Sequence, residues 1–367
     1  MNFKLFSRTS ASRLGLEFSS EGIIAIQLSE AKKQKSLEKL SRRIFESGSV
    51  VQGGQIIDES TFIKVLSSMI IDDGLNAKTV HVSVPSSAAF IKTITLPDLP
   101  VNELRAIVMQ ESENHISFPL EEVNIDIDII ESSRRSDEDG KKIDVVLAAL
   151  PKTVSKNIVE IMSKVGLKVE SIDISAFSAI RTLANAGFID ESDSISVSVL
   201  IGYENTDINI LQKGMPVFSN NLPIGKKNLI ESLKIALDMD IMDLENLLPE
   251  VALIIPGSSI LQEGLAVKAS TLAKNVYNLI LLEVEKTIDF YQSQVSCEVE
   301  IKNIIISGTG ICIQNIDKYF INRLKIYTLM CDSLKNIETS IVSTENLIYP
   351  INVPSMASVM GLALRGL

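Results

Sequence analysis

Residues 14–28 read LGLEFSSEGIIAIQL, and a second stretch with the same plan, ISVSVLIGYENTDINIL, occupies residues 195–211. In each stretch two apolar runs flank a short polar turn, which is the pattern of a β-hairpin. Each hairpin is followed by further strand and helix patterns, so the chain is expected to contain two similar halves. This internal duplication decides the predicted fold.

Composition limits the kinds of partner that the chain can have. The 367 residues, 46% of them hydrophobic, are enough for two or three domains with real cores. A net charge of −11 argues against a nucleic-acid partner and against unaided docking on an anionic membrane. Three cysteines and two histidines are too few for a Cys/His zinc site or a disulfide framework, which favours a reducing compartment. With no apolar run of membrane-spanning length, we expect a cytoplasmic protein without direct membrane insertion.

Outside the hairpins, the apolar spacing predicts a mixture of helices and strands. A small α+β unit is expected between Gly48 and about Ser132, followed by a charged turn at residues 134–142. Helical spacing is found at residues 60–71, 101–115, 155–165, 176–186, 228–237, 243–248, 265–294 and 355–364, and around residue 319. Strand patterns occupy residues 80–84, 90–96, 124–130, 143–150 and 170–174 and begin again at residue 304.

Three glycine or small-residue turns end apolar strands, at Ser19 to Gly22, at Gly202 to Thr206 and at Gly308 to Gly310. Such turns can aim consecutive backbone N–H groups at phosphate oxygens. Each turn alone is a weak signal, because most turns of this kind bind nothing. Together, and in this order, they indicate a nucleotide site shared by two halves.

The most specific sequence motif lies between the hairpins. Leu96-Pro-Asp-Leu-Pro100 is followed by Glu103-Leu104, by Glu111, and by Ile116-Ser-Phe-Pro-Leu-Glu-Glu-Val123 with Asp126. With the hairpins, Ile288-Asp-Phe-Tyr291 and Gly361-Leu-Ala-Leu-Arg-Gly366, it makes the whole chain resemble the PilM family of type IV pilus assembly proteins. These proteins are actin-like ATPase relatives of the cell-division protein FtsA.

The resemblance implies an α/β, actin-like fold: two RNase-H-like halves, the first with an inserted small α+β subdomain. The implied division is residues 1–47 and 143–194 for the first half, 48–142 for the insertion, 195–225 and 300–367 for the second half, and 226–299 for its helical subdomain.

The resemblance also implies a nucleotide site for ATP with Mg²⁺. The matching residues are Glu17, Ser19, Ser20, Gly202, Asn205, Thr206, Gly225, Gly308, Thr309 and Gly310. Lys226 and Lys227 follow the site, and we expect them to be solvated, with phosphate contact as the alternative.

Several positions depart from the family pattern. Glu17 and Ser19 stand where the first hairpin usually has Asp and Gly, and Leu200 stands where the second hairpin has Asp. Ser175 replaces a Glu, and the second of two paired glycines is Lys226. Mg²⁺ is held by carboxylate oxygens or by waters bound to them, and attacking water needs an oriented polar group. We therefore assign no catalytic residue and no metal ligand, and we predict ATP hydrolysis that is slow or absent, with weak nucleotide binding left open.

The implied function is that of a cytoplasmic scaffold in a type IV pilus or related secretion system. It would bind the cytoplasmic tail of an inner-membrane PilN-like protein in a groove between the first half and its insertion, and so lie at the inner membrane through that partner. Motor or platform proteins and a homo-oligomer remain open as further partners. The alternatives are an active actin-fold ATPase or kinase, and an FtsA-like filament, which the short, nearly uncharged end at residues 360–367 disfavours.

Overall fold

A computed structural model describes most of the chain. The described residues are 12–45, 50–100, 103–104, 106–108, 111, 116, 119–137, 140–189, 194–255, 264–295, 300–339 and 353–367.

The described residues form fifteen strands and eight labelled helices. The strands are β1 Arg13–Phe18, β2 Gly22–Ala31, β3 Gln34–Ile44, β4 Val51–Gln52, β5 Gln55–Ile56, β6 Thr79–Val84, β7 Phe90–Pro97, β8 Val123–Asp137, β9 Gly140–Pro151, β10 Lys168–Ile174, β11 Ile195–Ile201, β12 Thr206–Gln212, β13 Met215–Leu222, β14 Ile301–Ser307 and β15 Thr328–Met330. The helices are α1 Glu59–Asp72, α2 Lys152–Lys164, α3 Ser175–Asn185, α4 Lys226–Leu237, α5 Ile241–Leu247, α6 Leu265–Gln294, α7 Ile316–Leu324 and α8 Ala357–Ala363.

Two five-stranded sheets repeat one topology. The first has the order β10-β6-β1-β2-β3 and the second β13-β12-β11-β14-β15. In each sheet the first three strands along the chain form an antiparallel meander. The fourth strand pairs in parallel with the first, and the fifth pairs in parallel with the fourth. The predicted duplication is therefore confirmed, and both predicted hairpins, β1–β2 and β11–β12, lie at the centre of their sheets.

A smaller three-stranded sheet, with the order β7-β9-β8, is inserted into the first half. One of its faces packs on an apolar core that includes Leu104, Ile143 and Leu147, all fully buried. Leu104 belongs to the helix predicted at residues 101–115; residues 103–104, 106–108 and 111 are helical, and the rest of that segment lies outside the described residues, as do Ser117 and Phe118.

The strand pairings divide the chain differently from the sequence-based boundaries. Thr79–Val84, assigned to the insertion, pairs with β1 and β10 in the first large sheet. Gly140–Pro151, which contains the strand assigned to the first half, is the central strand of the small sheet. The charged turn predicted at residues 134–142 is instead the end of a long hairpin, whose ladder runs as far as Asp137 and Gly140.

The last helix also departs from the predicted division, which placed residues 300–367 in the second half. Val359, Met360 and Ala363 of α8 pack against Ile26 and Leu37 of the first sheet. The chain therefore crosses back to the first half at its end. Close packing makes this possible, because Gly361 lies against the backbone of α3 and Gly15 of β1 lies against α8.

Helices α4, α5 and α6 lie in the segment predicted to be the helical subdomain of the second half, and they cover the second sheet. Leu233, Leu244, Ile280 and Val284 share one core with the buried strand β11. In the parts of the chain that the structure describes, no helix combines the length and the apolar character needed to cross a bilayer.

Candidate functional site

The two central hairpins face each other across the cleft between the halves. The Ser20 hydroxyl, on the first hairpin turn, donates a hydrogen bond of 2.6 Å to Glu204 Oε1, on the second. The cavity enclosed between the hairpins has a volume of about 60 Å³. Its lining includes Glu17, Ser19, Ser83, Ser175, Leu200, Gly202, Asn205, Asp207, Gly308, Thr309 and Ser358.

Sequence reasoning missed one carboxylate of this cavity. Leu200, at the position of the usual Asp, is only 5% exposed, as its apolar character requires. Its direct neighbour across the β11–β12 ladder is Asp207, which is buried and lines the cavity with Glu17. Asp207 could have been identified from the sequence, because the register of the second hairpin is symmetrical about its turn and pairs it with Leu200. Asp207 Oδ1 accepts a hydrogen bond of 2.6 Å from the Asn221 side-chain amide.

Both carboxyl groups hold their protons unusually tightly. Burial raises the pKa of Glu17 from 4.5 to about 7, and the charges of Glu21 and Asp207 add to this, while the Ser358 hydroxyl beside it opposes it. Burial likewise raises the pKa of Asp207 from 3.8 to about 6, against the side-chain amides of Asn221 and Asn205 and the nearby Ser86 hydroxyl. Without a bound cation, ionising both carboxyl groups is opposed by burial, and for Glu17 also by the charge of Asp207.

Glu17 should therefore make stability depend on pH. Because its folded-state pKa is raised, its stabilising contribution is fully present below about pH 4.5 and is lost as the pH rises through 7. We expect Glu17→Gln to unfold about 4 °C above the unchanged protein at pH 8, since it removes a buried charge that costs about 3 kcal/mol, and near the same temperature at pH 5. Thermal melts at both pH values measure this.

The matched control for that substitution is Glu231→Gln on the exposed side of α4, which should change neither melt. A higher melting temperature for Glu17→Gln at pH 5 as well as at pH 8 would show that the effect does not come from ionisation.

Four charged side chains fill the cleft beside the cavity, and we call them the interhalf ion cluster: Glu21 and Arg42 of the first half, Lys226 and Glu245 of the second. Each is less than 10% exposed. Lys226 Nζ lies 2.7 Å from Glu21 Oε1 and 2.5 Å from Glu245 Oε1. Arg42 Nη2 lies 2.8 Å from Glu21 Oε1 and 3.8 Å from Glu245 Oε2. The expectation that Lys226 is solvated is wrong, because it is the buried centre of this cluster.

The charges in the cluster stabilise one another. Burial by itself would raise the pKa of Glu21, but Lys226 and Arg42 outweigh it and hold that pKa below its usual value. Burial would lower the pKa of Lys226, but Glu21 and Glu245 outweigh it and raise that pKa. The shifts of Glu21 and Lys226 both favour the charged form, and the cluster brings two acidic and two basic side chains together.

Five backbone N–H groups at or beside the predicted phosphate turns are used inside the protein. Gly202 N–H donates to Asn205 O (2.8 Å), Gly308 N–H to Pro354 O (2.9 Å) and Gly310 N–H to Ile201 O (2.8 Å). Ser19 N–H donates to Gly22 O (3.0 Å). Gly225 N–H donates to Asn228 Oδ1 (2.9 Å). A phosphate bound by these five N–H groups would have to displace internal hydrogen bonds.

The remaining predicted site residues divide between the cavity wall and the packing behind it. Asn205 and Thr309 line the cavity. Thr206 does not, because it is fully buried and its hydroxyl donates to Ile224 O at 2.7 Å. Gly225 and Gly310 pack on neighbouring backbone and side chain: a Cβ on Gly225 would lie 2.5 Å from Tyr203 O, and one on Gly310 would lie 2.3 Å from Ile201 Cγ2.

The cavity between the hairpins is small for a ligand site. Small-molecule sites usually enclose roughly 300–1,000 Å³, and the cavity between the hairpins is several times smaller. A second chamber of about 310 Å³ lies beyond the interhalf ion cluster, against residues 311–314 that follow the third glycine turn. The cluster borders both spaces, since Arg42 lines both, Glu21 lines the first, and Lys226 and Glu245 line the second.

A separate groove runs between the first half and the inserted sheet. Two chambers of about 380 and 320 Å³ share residues 172–174 of β10 on one wall and Asp126 and Ala148 of the small sheet on the other. Among the described strands, β10 pairs only with β6, so its outer edge faces the groove. Asp173 lies in the groove wall, and its Oδ2 accepts from Arg181 (2.8 Å) and from Arg365 (2.7 Å).

Duplicated sheets of this topology, with a cleft between their central hairpins, define the actin-like ATPase fold. The family model described as type IV pilus assembly protein PilM matches residues 15–367, and the chain belongs to that family.

Solved structures agree with this fold. A PilM-PilN type IV pilus biogenesis complex is similar, with a TM-score of 0.80 and 19% identity over 96% of this chain and 98% of the other. The ethanolamine utilization protein EutJ of Carboxydothermus hydrogenoformans has a TM-score of 0.54, with 11% identity over 97% and 90% of the two chains. MreB5 of Spiroplasma citri, bound to ADP, has a TM-score of 0.51, with 14% identity over 97% and 96%.

Proposed function

We propose that this chain is a scaffold of type IV pilus or related secretion-system assembly, which binds the cytoplasmic tail of an inner-membrane PilN-like protein and has a degenerate nucleotide site. The observation that carries the proposal is the groove between β10 and the inserted sheet, in a member of the PilM family. The partner would bring the protein to the cytoplasmic face of the inner membrane.

The geometry of the groove suits an extended peptide. The outer edge of β10 offers backbone N–H and C=O groups along residues 169–174, and a peptide strand can add to such an edge through main-chain hydrogen bonds. Ile172 and Ala148 give the groove apolar surface for side-chain anchors.

The charge of the inserted sheet also suits a membrane-protein tail. Asp126 and Asp128 are exposed on the face of β8 that lines the groove, opposite Ala148 and Val146 of β9. Cytoplasmic segments next to membrane spans carry an excess of Lys and Arg. Two exposed carboxylates are complementary to such a tail, whereas Asp173 is already paired with Arg181 and Arg365.

The degenerate nucleotide site favours a scaffold over an ATPase. The two cavity carboxyl groups have raised pKa values, and five N–H groups at or beside the turns are bonded to protein carbonyls or to Asn228. Neither feature supports tight binding of Mg²⁺ and phosphate. Peptide binding in the groove does not require ATP hydrolysis.

Blocking the groove tests the proposed function. Ala148→Arg places a long charged side chain in the groove, while its neighbours Leu147 and Ala149 keep the core of the opposite face. We expect the unchanged protein to bind a synthetic peptide of the PilN-like tail in calorimetry. We expect Ala148→Arg to weaken that binding at least about tenfold, a loss of about 1.4 kcal/mol.

Ile71→Arg is the matched control, because Ile71 is 76% exposed on α1 and lines neither chamber of the groove. It should bind the peptide like the unchanged protein. The scaffold proposal fails if the unchanged protein shows no binding at high peptide concentration, and the placement in the groove fails if Ala148→Arg binds normally.

A further inference from the structure

The interhalf ion cluster is built symmetrically from the two halves. Glu21 comes from the turn between β1 and β2, and Arg42 from β3 of the same sheet. Lys226 is the first residue of α4, and Glu245 lies in α5. Each half thus contributes one anion and one cation, and the pairs Glu21–Lys226 and Arg42–Glu245 join the halves.

The position of the cluster is as important as its charge. It lies between the small cavity at the two hairpin turns and the larger chamber beside residues 311–314. A ligand extending from the hairpin turns into the chamber beside residues 311–314 would meet Arg42, which lines both spaces. Glu21 itself is on the first hairpin turn, two residues after Ser19, and its carboxylate oxygen is held by both Lys226 and Arg42.

We propose that this cluster takes the place of a bound nucleotide as the tie between the two halves. The Glu21 carboxylate supplies the anion that Lys226 and Arg42 bind, so the cleft is closed by the chain's own side chains and needs no phosphate. The tie is independent of the tail groove, in which none of the four residues lies.

Removal of the Glu21 carboxylate tests whether the cluster takes the place of a bound anion. In Glu21→Ala both cations lose the carboxylate that they share, and breaking a buried ion pair from one side is strongly destabilising. We expect the melting temperature of the full chain to fall by roughly 5–10 °C. Inorganic phosphate at about 10 mM should restore part of this loss by binding the vacated position, since a ligand of the folded state stabilises it.

The unchanged protein should show neither response. Its melting temperature should be the same with and without phosphate or Mg²⁺–ATP, because Glu21 already holds the position. Glu231→Ala is the matched control: this exposed residue of α4 lies 4.0 Å from Lys227, and its loss should change neither stability nor the response to phosphate.

Three outcomes would overturn the proposal. One is stabilisation of the unchanged protein by Mg²⁺–ATP. Another is a Glu21→Ala protein as stable as Glu231→Ala. The third is destabilisation that no concentration of phosphate relieves. If Glu21→Ala does not fold, Glu21→Gln keeps the shape and removes the charge, and the same loss and recovery are expected of it on a smaller scale.

Discussion

Gly361→Ala is expected to destabilise the protein by at least about 4 kcal/mol, beyond the usual range for one substitution. A Cβ at this position would lie 1.7 Å from Ser178 O and 2.5 Å from Ser178 C, both backbone atoms of α3. Side chains can rotate away from an added methyl group, but the carbonyl of a helix cannot without breaking its ladder.

Helix α8 also has no room to retreat from α3. On its other side Gly15 approaches so closely that a Cβ there would lie 2.5 Å from Val359 O. The helix is therefore held between β1 and α3 by one glycine on each side. Denaturant unfolding measures the loss of stability in Gly361→Ala.

Gly166→Ala is the control that separates steric from conformational cost. Gly166 has φ of +81° and nothing within 4 Å of an added Cβ, so its substitution should cost only about 1 kcal/mol of backbone strain. Because the clash at Gly361 is with backbone, adding Ser178→Gly should not rescue Gly361→Ala. Rescue, or a cost equal to that of Gly166→Ala, would show that the two helices are not in contact as described.

The close packing of α8 gives a structural reason for the motif at residues 361–366, which the sequence alone supported only through its resemblance to a family. In the segment 361–366, Gly361 allows the contact with α3, and Arg365 reaches Asp173 in the groove wall at 2.7 Å. Gly366 has φ of +77°, which favours glycine. The end of the chain thus fixes the back of the groove in which we propose that the tail binds.

Local patterns predicted the hairpins well, because the two apolar strands and the polar turn of each hairpin are contiguous in the sequence. They did not predict which strands become neighbours. The alternation of Val80 to Val84 indicates a strand, but only the observed ladder reveals that it lies beside β1 rather than in the inserted sheet.

The interhalf ion cluster could not be predicted from local patterns either. Glu21 and Lys226 are 205 positions apart, and each looks like an ordinary surface residue in its own segment. Charged residues are rarely buried unless they are paired, and a partner on another domain leaves no trace nearby in the sequence. Asp207 differs, because its partner Leu200 is in the same hairpin.

A glycine in the third glycine turn can be required either for ligand binding or for packing. Gly308 was assigned to the nucleotide site, yet its φ is +100° and a Cβ on it would lie 2.2 Å from Ile201 O, at the end of the central strand β11. Gly308→Ala combines backbone strain with a backbone clash, so we expect a loss of about 4 kcal/mol in unfolding free energy. The loss should be the same with and without Mg²⁺–ATP, because the turn is needed for the fold.

Gly187→Ala, at φ of +71° with open space around the added Cβ, is the control for strain alone and should cost about 1 kcal/mol. Paired melts of the two variants, each with and without Mg²⁺–ATP, separate the explanations. If glycine at position 308 served phosphate binding, the unchanged protein would gain stability from the nucleotide and Gly308→Ala would lose that gain. If it serves packing, as its contact with Ile201 indicates, the nucleotide changes neither melt and the whole cost of the substitution is present without it.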